Sequence, residues 1–181
     1  MRLLIIGAGG HGRCCRDIAL RMGIYEQIDF LDDQDQEGLS VVGKIDQLTQ
    51  IQELYDHVFV AIGNNAFRKK IDQQISSNKK TNLIDPTAIL SMDASIGTSN
   101  VIFPYVSIES KAKMGNGNIL CANTVINHDA RIYDYTLIYT NTTIRPNTNI
   151  HDEVKIGSNC CICMGKTIEE KSVIEDGKMI N

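Results

Sequence analysis

The feature that most constrains this chain is a six-residue repeat in its second half. Every sixth position from Ile84 to Ile180 carries a large aliphatic residue or methionine, with no insertion. A period of six fits neither the 3.6-residue turn of a helix nor a long alternating strand. It predicts a solenoid in which each repeat supplies one short strand and one corner, because stacked coils bury a core that no single repeat could bury.

A second register lies two residues before each aliphatic position and is mostly small, as at Ala112 and Thr124. Residues two apart on a strand point to the same side, so both registers should face inward. The exceptions to the small register are Asn100, Asn118, Lys166 and Lys178. Glycines that directly follow an aliphatic position should relieve backbone strain at corners; these are Gly97, Gly115 and Gly157.

The first part of the chain has a different pattern. "RLLII", "QIDFL" and "HVFVAI" are typical of buried strands, whereas "RCCRDIALRM", "DQLTQIQEL" and "AFRKKIDQQIS" are typical of helices. This alternation predicts a small parallel α/β domain. The join should lie near Asp85-Pro86, because proline restricts the residue before it. We therefore predict one domain over residues 1–83 and a second over residues 84–181.

A glycine-rich turn follows the first predicted strand. Residues Gly7 to Gly12 satisfy the pattern G-x-G-x-x-G, which lets a chain pass close to a phosphate at a helix N-terminus. Asp32 lies 20 residues after Gly12, a spacing at which a carboxylate can reach a ribose hydroxyl. A tight turn that binds nothing is the alternative. Because one small domain supplies only half of a dinucleotide site, a nucleotide carried by the substrate is favoured over NAD.

Charge and cysteine usage exclude several classes of partner. The formal net charge is -4, with 18 basic and 22 acidic residues, which predicts neither nucleic-acid nor anionic-membrane binding. We expect no signal peptide and no membrane insertion, and hence a cytoplasmic protein whose six cysteines are reduced. The cysteines at 160, 161 and 163 lack a second cluster that would complete four ligands, so no metal site is expected.

Four stretches together carry a resemblance to a known family: "GAGGHGRCCRDIALRMG", "FLDD", "AIGNNAFRKKI" with "NLIDPTAIL", and "FPYVSIESKAKM" continuing into "VINHDARI". The chain resembles the bacterial nucleotide-sugar acetyltransferases, a family that includes sialic acid O-acetyltransferases. It is most similar to the N-acetyltransferases that act on a UDP-linked 4-amino sugar in bacillosamine synthesis. The resemblance implies a half-Rossmann domain followed by a left-handed parallel β-helix of hexapeptide repeats, with three hexads per turn. It also implies a homotrimer that binds acetyl-CoA between subunits.

The same resemblance assigns roles to individual residues. His128 falls where the family places its general base, and Asp129 matches the carboxylate that orients the imidazole. The pair should lie at an exposed corner; without the resemblance, His128 would be interpreted as a solvated corner residue. The implied binding residues are Gly10, His11 and Gly12 at the phosphates and sugar, Asp32 and Asp33 at the nucleoside, Gly63 and Asn64 in the same cleft, and Leu137 and Ser158 at acetyl-CoA.

Some positions depart from the family pattern. Many relatives carry a second histidine, which contacts acetyl-CoA, where this chain has Leu137, and they continue past the last hexad into a further segment. Acetyl-CoA binding is therefore expected to be weakened, reshaped or lost. Two alternatives to amine acetylation remain open. One is acetylation of a sugar or sialic acid hydroxyl, which needs the same base, and the other is a non-catalytic β-helix that only binds a nucleotide sugar.

Overall fold

The computed structural model describes residues 1–34 and 36–181, which form an N-terminal α/β domain followed by a β-solenoid. Four parallel strands form the sheet of the first domain, in the order β3-β2-β1-β4. Its elements are β1 (Arg2–Ile6), α1 (Gly10–Met22), β2 (Gln27–Leu31), β3 (Val41–Gly43), α2 (Leu48–Ile51), β4 (His57–Val60) and α3 (Asn65–Asp72). The predicted parallel α/β domain is thus confirmed as a half-Rossmann arrangement.

Local chemistry accounts for most of these elements. The apolar run of β1 is buried from Leu3 onward, as expected for a central parallel strand. Helix α1 ends at Gly23, which adopts a left-handed conformation with φ 69° and caps the helix. The second and third helices are shorter than predicted. Single-turn 3-10 segments flank α2, and the short strand β3 was not predicted.

The solenoid consists of two-residue strands at intervals of six residues. They are β5 (Leu83–Ile84), β6 (Ile89–Leu90), β7 (Ser95–Ile96), β8 (Val101–Ile102), β9 (Ser107–Ile108), β10 (Lys113–Met114), β11 (Ile119–Leu120), β12 (Val125–Ile126), β13 (Arg131–Ile132), β14 (Leu137–Ile138), β15 (Thr143–Ile144), β16 (Asn149–Ile150), β17 (Lys155–Ile156), β18 (Cys161–Ile162), β19 (Thr167–Ile168), β20 (Val173–Ile174) and β21 (Met179–Ile180).

Each strand pairs in parallel with the strand 18 residues later, as Val125 does with Thr143. Three strands therefore complete one turn, and three flat sheets run along the coil. The fold is a left-handed parallel β-helix, as predicted. Its first strand, β5, lies at the predicted boundary between residues 83 and 84, which as a division between domains stays a prediction.

The coil core consists of the two predicted inward registers. The aliphatic positions from Ile102 to Ile168 are all buried, and those at the two ends of the coil are half-buried. Asn100 and Asn118 are also fully buried, although they break the small register. The side-chain oxygen of Asn100 accepts the backbone N–H of Asn118 at 2.8 Å, and that of Asn118 accepts the N–H of Thr136 at 2.7 Å. The two asparagines therefore form a hydrogen-bonded ladder inside one corner.

The prediction that glycines after the aliphatic positions relieve corner strain is wrong. Positive φ in the coil occurs instead at the corner positions themselves, including Asp129 (φ 59°) and Gly117 (φ 66°). Gly97 and Gly115 lie where successive turns approach closely. A Cβ on Gly97 would lie 2.6 Å from the carbonyl oxygen of Gly115, so glycine is required there by lack of space.

The N-terminal domain packs on the outer face of one coil sheet, here called the docked face. The face is formed by four outward residues, Leu83, Val101, Ile119 and Leu137, which share a core with β1, β4 and α1. Arg68 of α3 makes a second contact between the N-terminal domain and the coil. It is 1% exposed and donates to the carbonyl oxygens of Gly117 (2.8 Å) and Tyr135 (2.9 Å) in the coil. The two parts are therefore joined by both apolar and polar contacts.

Candidate functional site

His128 and Asp129 form a hydrogen-bonded pair at a corner of the coil, directly after β12. His128 Nδ1 lies 2.8 Å from Asp129 Oδ2, and the two side chains are 53% and 43% exposed. When Nδ1 donates its proton to the carboxylate, the neutral ring carries its lone pair on Nε2. Among the described residues Nε2 has no hydrogen-bond partner. The pair can therefore accept a proton from a molecule bound at the surface.

The corner itself is held in place by the turn before it. The carboxylate of Glu109 accepts the backbone N–H of His128 and the side-chain amide of Asn127, both at 2.9 Å. Asp129 adopts φ 59°, a left-handed conformation that aspartate tolerates better than most residues. Glu109 was not predicted as a site residue. Its position 19 residues before His128, one coil turn plus one residue, is the signal that could have identified it.

A cavity of about 590 Å³ opens beside the pair. His128 and Asp129 line it together with Ile89, Ile108 and Glu109. The cavity lies next to a coil sheet whose outer residues we call the open face. These residues are Ile89, Ser107, Val125, Thr143, Cys161 and Met179. All six are uncharged.

The glycine-rich turn divides into packed and open glycines. A Cβ on Gly7 would lie 2.9 Å from the carbonyl oxygen of Ala61, and one on Gly12 would lie 2.0 Å from that of Gly7. Packing alone therefore explains these two. A Cβ on Gly9 or Gly10 would meet almost nothing, and both residues are exposed. The bare backbone there leaves room for a ligand at the N-terminus of α1.

Three predicted binding residues use their side chains to hold the backbone. The carboxylate of Asp32 accepts the N–H of Ala8 at 2.7 Å, which ties it to the glycine-rich turn. Asp33 accepts the N–H of Ile45 at 3.2 Å. Asn64 caps helix α3 by accepting the N–H of Phe67 at 2.9 Å. These residues shape the carboxyl edge of the sheet, and their roles toward a ligand stay predictions.

His11 lies between the glycine-rich turn and the coil. Its ring stacks on Phe103 at a centroid distance of 5.8 Å, and its Nε2 lies 3.7 Å from the thiol of Cys15. Burial is the main cause that lowers the pKa of His11 to about 4, and the nearby charge of Arg68 contributes to the same shift. The ring is therefore neutral near pH 7. Neither Phe103 nor Arg68 was predicted to lie near the site, because both reach it through long-range packing.

The remaining predicted residues line a cleft between α3 and the coil. Gly63, Asn64 and Leu137 border a cavity of about 450 Å³, and Ser158 borders an adjoining cavity that shares Tyr139 and Lys155 with the first. The Leu137 side chain is 6% exposed because it packs under the N-terminal domain. His128 and Asp129 line neither cavity. Within one chain the predicted base and the predicted binding residues are thus in separate places.

No group of three or more histidine, cysteine or acidic residues within 1–34 and 36–181 is arranged to hold a metal ion. No helix in the described part of the chain has both the length and the apolar character needed to cross a membrane.

Comparisons with known proteins bear on this arrangement. Residues 2–75 match the family described as the PglD N-terminal domain. Over 99% of this chain and 91% of the other, the fold is similar to the acetyltransferase domain of PglB from Neisseria gonorrhoeae FA1090, with 29% identity and a TM-score of 0.93. The resemblance predicted from the sequence is confirmed. The same PglB domain in complex with acetyl coenzyme A matches at 28% identity, with a TM-score of 0.89, over 98% of this chain and 94% of that one.

A more distant similarity concerns the fold alone. PerB from Caulobacter crescentus, in complex with CoA and GDP-perosamine, is 21% identical over 96% of this chain and 91% of that chain, with a TM-score of 0.68. The likeness to the PglB acetyltransferase domain agrees with the predicted class of enzyme, an acyltransferase, and the acetyl coenzyme A in the complex of that domain agrees with the predicted co-substrate. The comparisons leave the individual site residues as predictions.

Proposed function

We propose that this protein transfers an acetyl group from acetyl-CoA to the amino group of a nucleotide-linked sugar, with UDP as the expected nucleotide and His128 as general base. The observation that carries the proposal is the 2.8 Å contact between His128 Nδ1 and Asp129 Oδ2, which leaves Nε2 free beside a cavity. The likeness to an acetyltransferase domain that binds acetyl coenzyme A supports the donor. The open glycines Gly9 and Gly10 support a phosphate-bearing acceptor.

The chemistry needs one proton acceptor. The sugar amine attacks the thioester carbonyl, and His128 Nε2 removes a proton from the attacking nitrogen. The carbon–sulfur bond then breaks, and the imidazolium returns this proton to the departing thiolate. Asp129 keeps the ring in the required tautomer and stabilises its transient positive charge. No covalent intermediate on the protein is required.

We further propose that the site is completed by a second copy in a homotrimer. The base lies at the corner that follows the open face, whereas Phe103 and the glycine-rich turn stacked on it lie at the corner that precedes this face. A copy packed on the uncharged open face would bring the binding residues of one chain to the base of another. Light scattering should then give the mass of three 20.1 kDa chains.

We also infer a cytoplasmic location, since the six cysteines are unpaired and a nucleotide sugar and acetyl-CoA would both be met there. We also infer a role in glycan or polysaccharide synthesis, because the proposed acceptor is a nucleotide-linked sugar.

The test is CoA release from acetyl-CoA with a panel of UDP-linked amino sugars, their hydroxyl counterparts and free sialic acids. His128→Ala should lower kcat with the amino sugar about 1000-fold, in the range for loss of a general base. His151→Gln is the matched control, because His151 lies outside this corner and stacks on Tyr133. Turnover only with hydroxyl acceptors would show that the acceptor group is a hydroxyl and not an amine. Binding of UDP sugars without turnover by the wild-type protein would refute the proposal that the protein is an enzyme.

A further inference from the structure

Three cations border the side of the His128 corner that faces away from the open face. Lys111, Lys113 and Arg131 line a cavity of about 420 Å³ together with Asp93 and Asp129. This cavity shares Lys111 and Asp129 with the larger cavity beside His128. His128 and Asp129 therefore lie between the uncharged open face and a cavity lined by three cations.

Two of these cations are held side by side. Strands β10 and β13 pair so that Lys113 lies directly beside Arg131, and both side chains are exposed on the same outer face. Like charges on neighbouring strands repel each other. The other outward residues of this sheet are Ser95, Asn149 and Thr167, so the face supplies no carboxylate to offset the repulsion.

The two carboxylates of the cavity are engaged elsewhere. Asp93 accepts hydrogen bonds from Ser91 Oγ at 2.9 Å and from Ser110 Oγ at 2.7 Å, while Asp129 bonds the ring of His128. Among the described residues, no carboxylate oxygen lies within 4.0 Å of the charged nitrogens of the three cations. A local excess of positive charge thus persists in a chain whose net charge is -4.

We propose that Lys111, Lys113 and Arg131 form an anion subsite that binds the diphosphate group of one of the two substrates. Ammonium and guanidinium groups are the usual partners of phosphate oxygens, and arginine can bind two of them at once. A bound diphosphate would also remove the repulsion between Lys113 and Arg131. The identity of the substrate rests on the proposed function, whereas the anion site rests on the charges alone.

The position of the cavity favours the acceptor as the source of the diphosphate. In a nucleotide sugar the diphosphate is attached to the ring that carries the amine, so it must lie one sugar ring from the base. In acetyl-CoA the whole pantetheine arm separates the thioester from the diphosphate. Because the cavity includes Asp129 itself, the shorter separation fits better. In the proposed trimer this diphosphate would lie between the cations of one copy and the open glycines Gly9 and Gly10 of the next copy, so that both groups bind the same acceptor.

Inorganic pyrophosphate is the probe that tests the anion site without any turnover. At low ionic strength, calorimetry should show binding to the wild-type protein, and the binding should weaken as salt is added. The double variant Lys113→Gln/Arg131→Gln should bind at least 10-fold more weakly, since two charged contacts are lost. Lys70→Gln removes one exposed charge elsewhere and should bind like wild type. Equal binding by the double variant, or no binding by wild type, overturns the proposal.

Steady-state kinetics then identify the source of the diphosphate. A KM for the nucleotide sugar that rises about 10-fold or more in the double variant, with kcat little changed, assigns the site to the acceptor. A rise in the KM for acetyl-CoA instead assigns it to the donor. Unchanged KM values for both substrates overturn the assignment to a substrate. If wild-type protein shows no turnover, the proposed function fails, while the pyrophosphate result still decides the anion site.

Discussion

The coil corner that carries His128 and the glycine-rich turn that carries His11 position a histidine in opposite ways. His128 projects from a regular scaffold, is half exposed and is oriented by a single carboxylate at 2.8 Å. His11 is enclosed between α1 and the coil, stacks on Phe103 and is kept neutral by burial and by Arg68. The imidazole is thus accessible to a bound molecule at position 128, whereas at position 11 it is a neutral ring packed between α1 and the coil.

This difference shows how the two regions divide the work. The coil core is filled by the two inward registers, so the fold does not depend on the packing of the His128 side chain at its corner. The N-terminal domain builds its cleft from side chains that also hold the fold, as Asp32 and Asn64 illustrate. Substitutions in the two regions should therefore differ: loss of activity with an intact fold at the corner, and loss of stability together with activity at the cleft.

The largest expected effect would come from separating the subunits of the proposed trimer, because the base of one copy would then lose the binding residues of the next. Val125→Asp places a charge at the centre of the open face, where a packed neighbour would have to bury it. We expect monomers by light scattering and a fall in activity of about 1000-fold or more, comparable to loss of the base. Thr167→Asp, at an exposed outward strand position of another sheet, is the control for the fold. Full activity in monomers would contradict the shared site.

The next effect concerns the junction between the two regions within one chain. Arg68→Met keeps an unbranched side chain but removes the donors to Gly117, Tyr135 and the loop after β4. The buried carbonyl groups left without partners should lower the free energy of unfolding by about 3 kcal/mol. Urea denaturation measures this loss. Arg145→Met, at an exposed position of the coil, should change stability little, and an equal loss in both variants would rule out the proposed role of Arg68.

The smallest effect tests the burial of His11 through pH. Its folded pKa of about 4 lies below the usual 6.5, so between these values the unfolded chain binds the proton more readily. Stability from this residue is therefore complete above pH 6.5 and is lost as pH falls toward 4, by about 2 kcal/mol between pH 6.5 and 5. In His11→Gln this part of the pH dependence should vanish. An unchanged slope in that variant, relative to His151→Gln, would show that His11 is not buried in solution.

Much of the coil could be predicted because its signal is local and repeated. Each aliphatic position predicts an inward-facing strand residue, and the spacing of His128 after Ile126 already places His128 at an exposed corner. The docked face could also have been recognised, since Leu83, Val101, Ile119 and Leu137 recur at 18-residue intervals as outward apolar residues. The predicted role of the glycines at 97, 115 and 157 was wrong because one-dimensional spacing does not show how closely successive turns approach.

The N-terminal cleft was less predictable because its residues serve two purposes. The glycine motif correctly indicated a strand, a tight turn and a helix, yet packing alone explains Gly7 and Gly12. The pattern could not distinguish these two from the open Gly9 and Gly10. That distinction depends on the carbonyl oxygen of Ala61 and on the turn's own backbone, which approach only in the folded chain.

The sequence by itself determined the solenoid, the parallel α/β domain before it and the pairing of His128 with its neighbour Asp129, because each depends on residues close together along the chain. Tertiary structure alone decided that His11 is neutral, that Leu137 lies beneath the N-terminal domain and that Lys113 stands beside Arg131 without a counterion. The physical reason is that burial and electrostatic partners depend on which surfaces meet. Docking and coil closure bring together groups that are 18 or more residues apart.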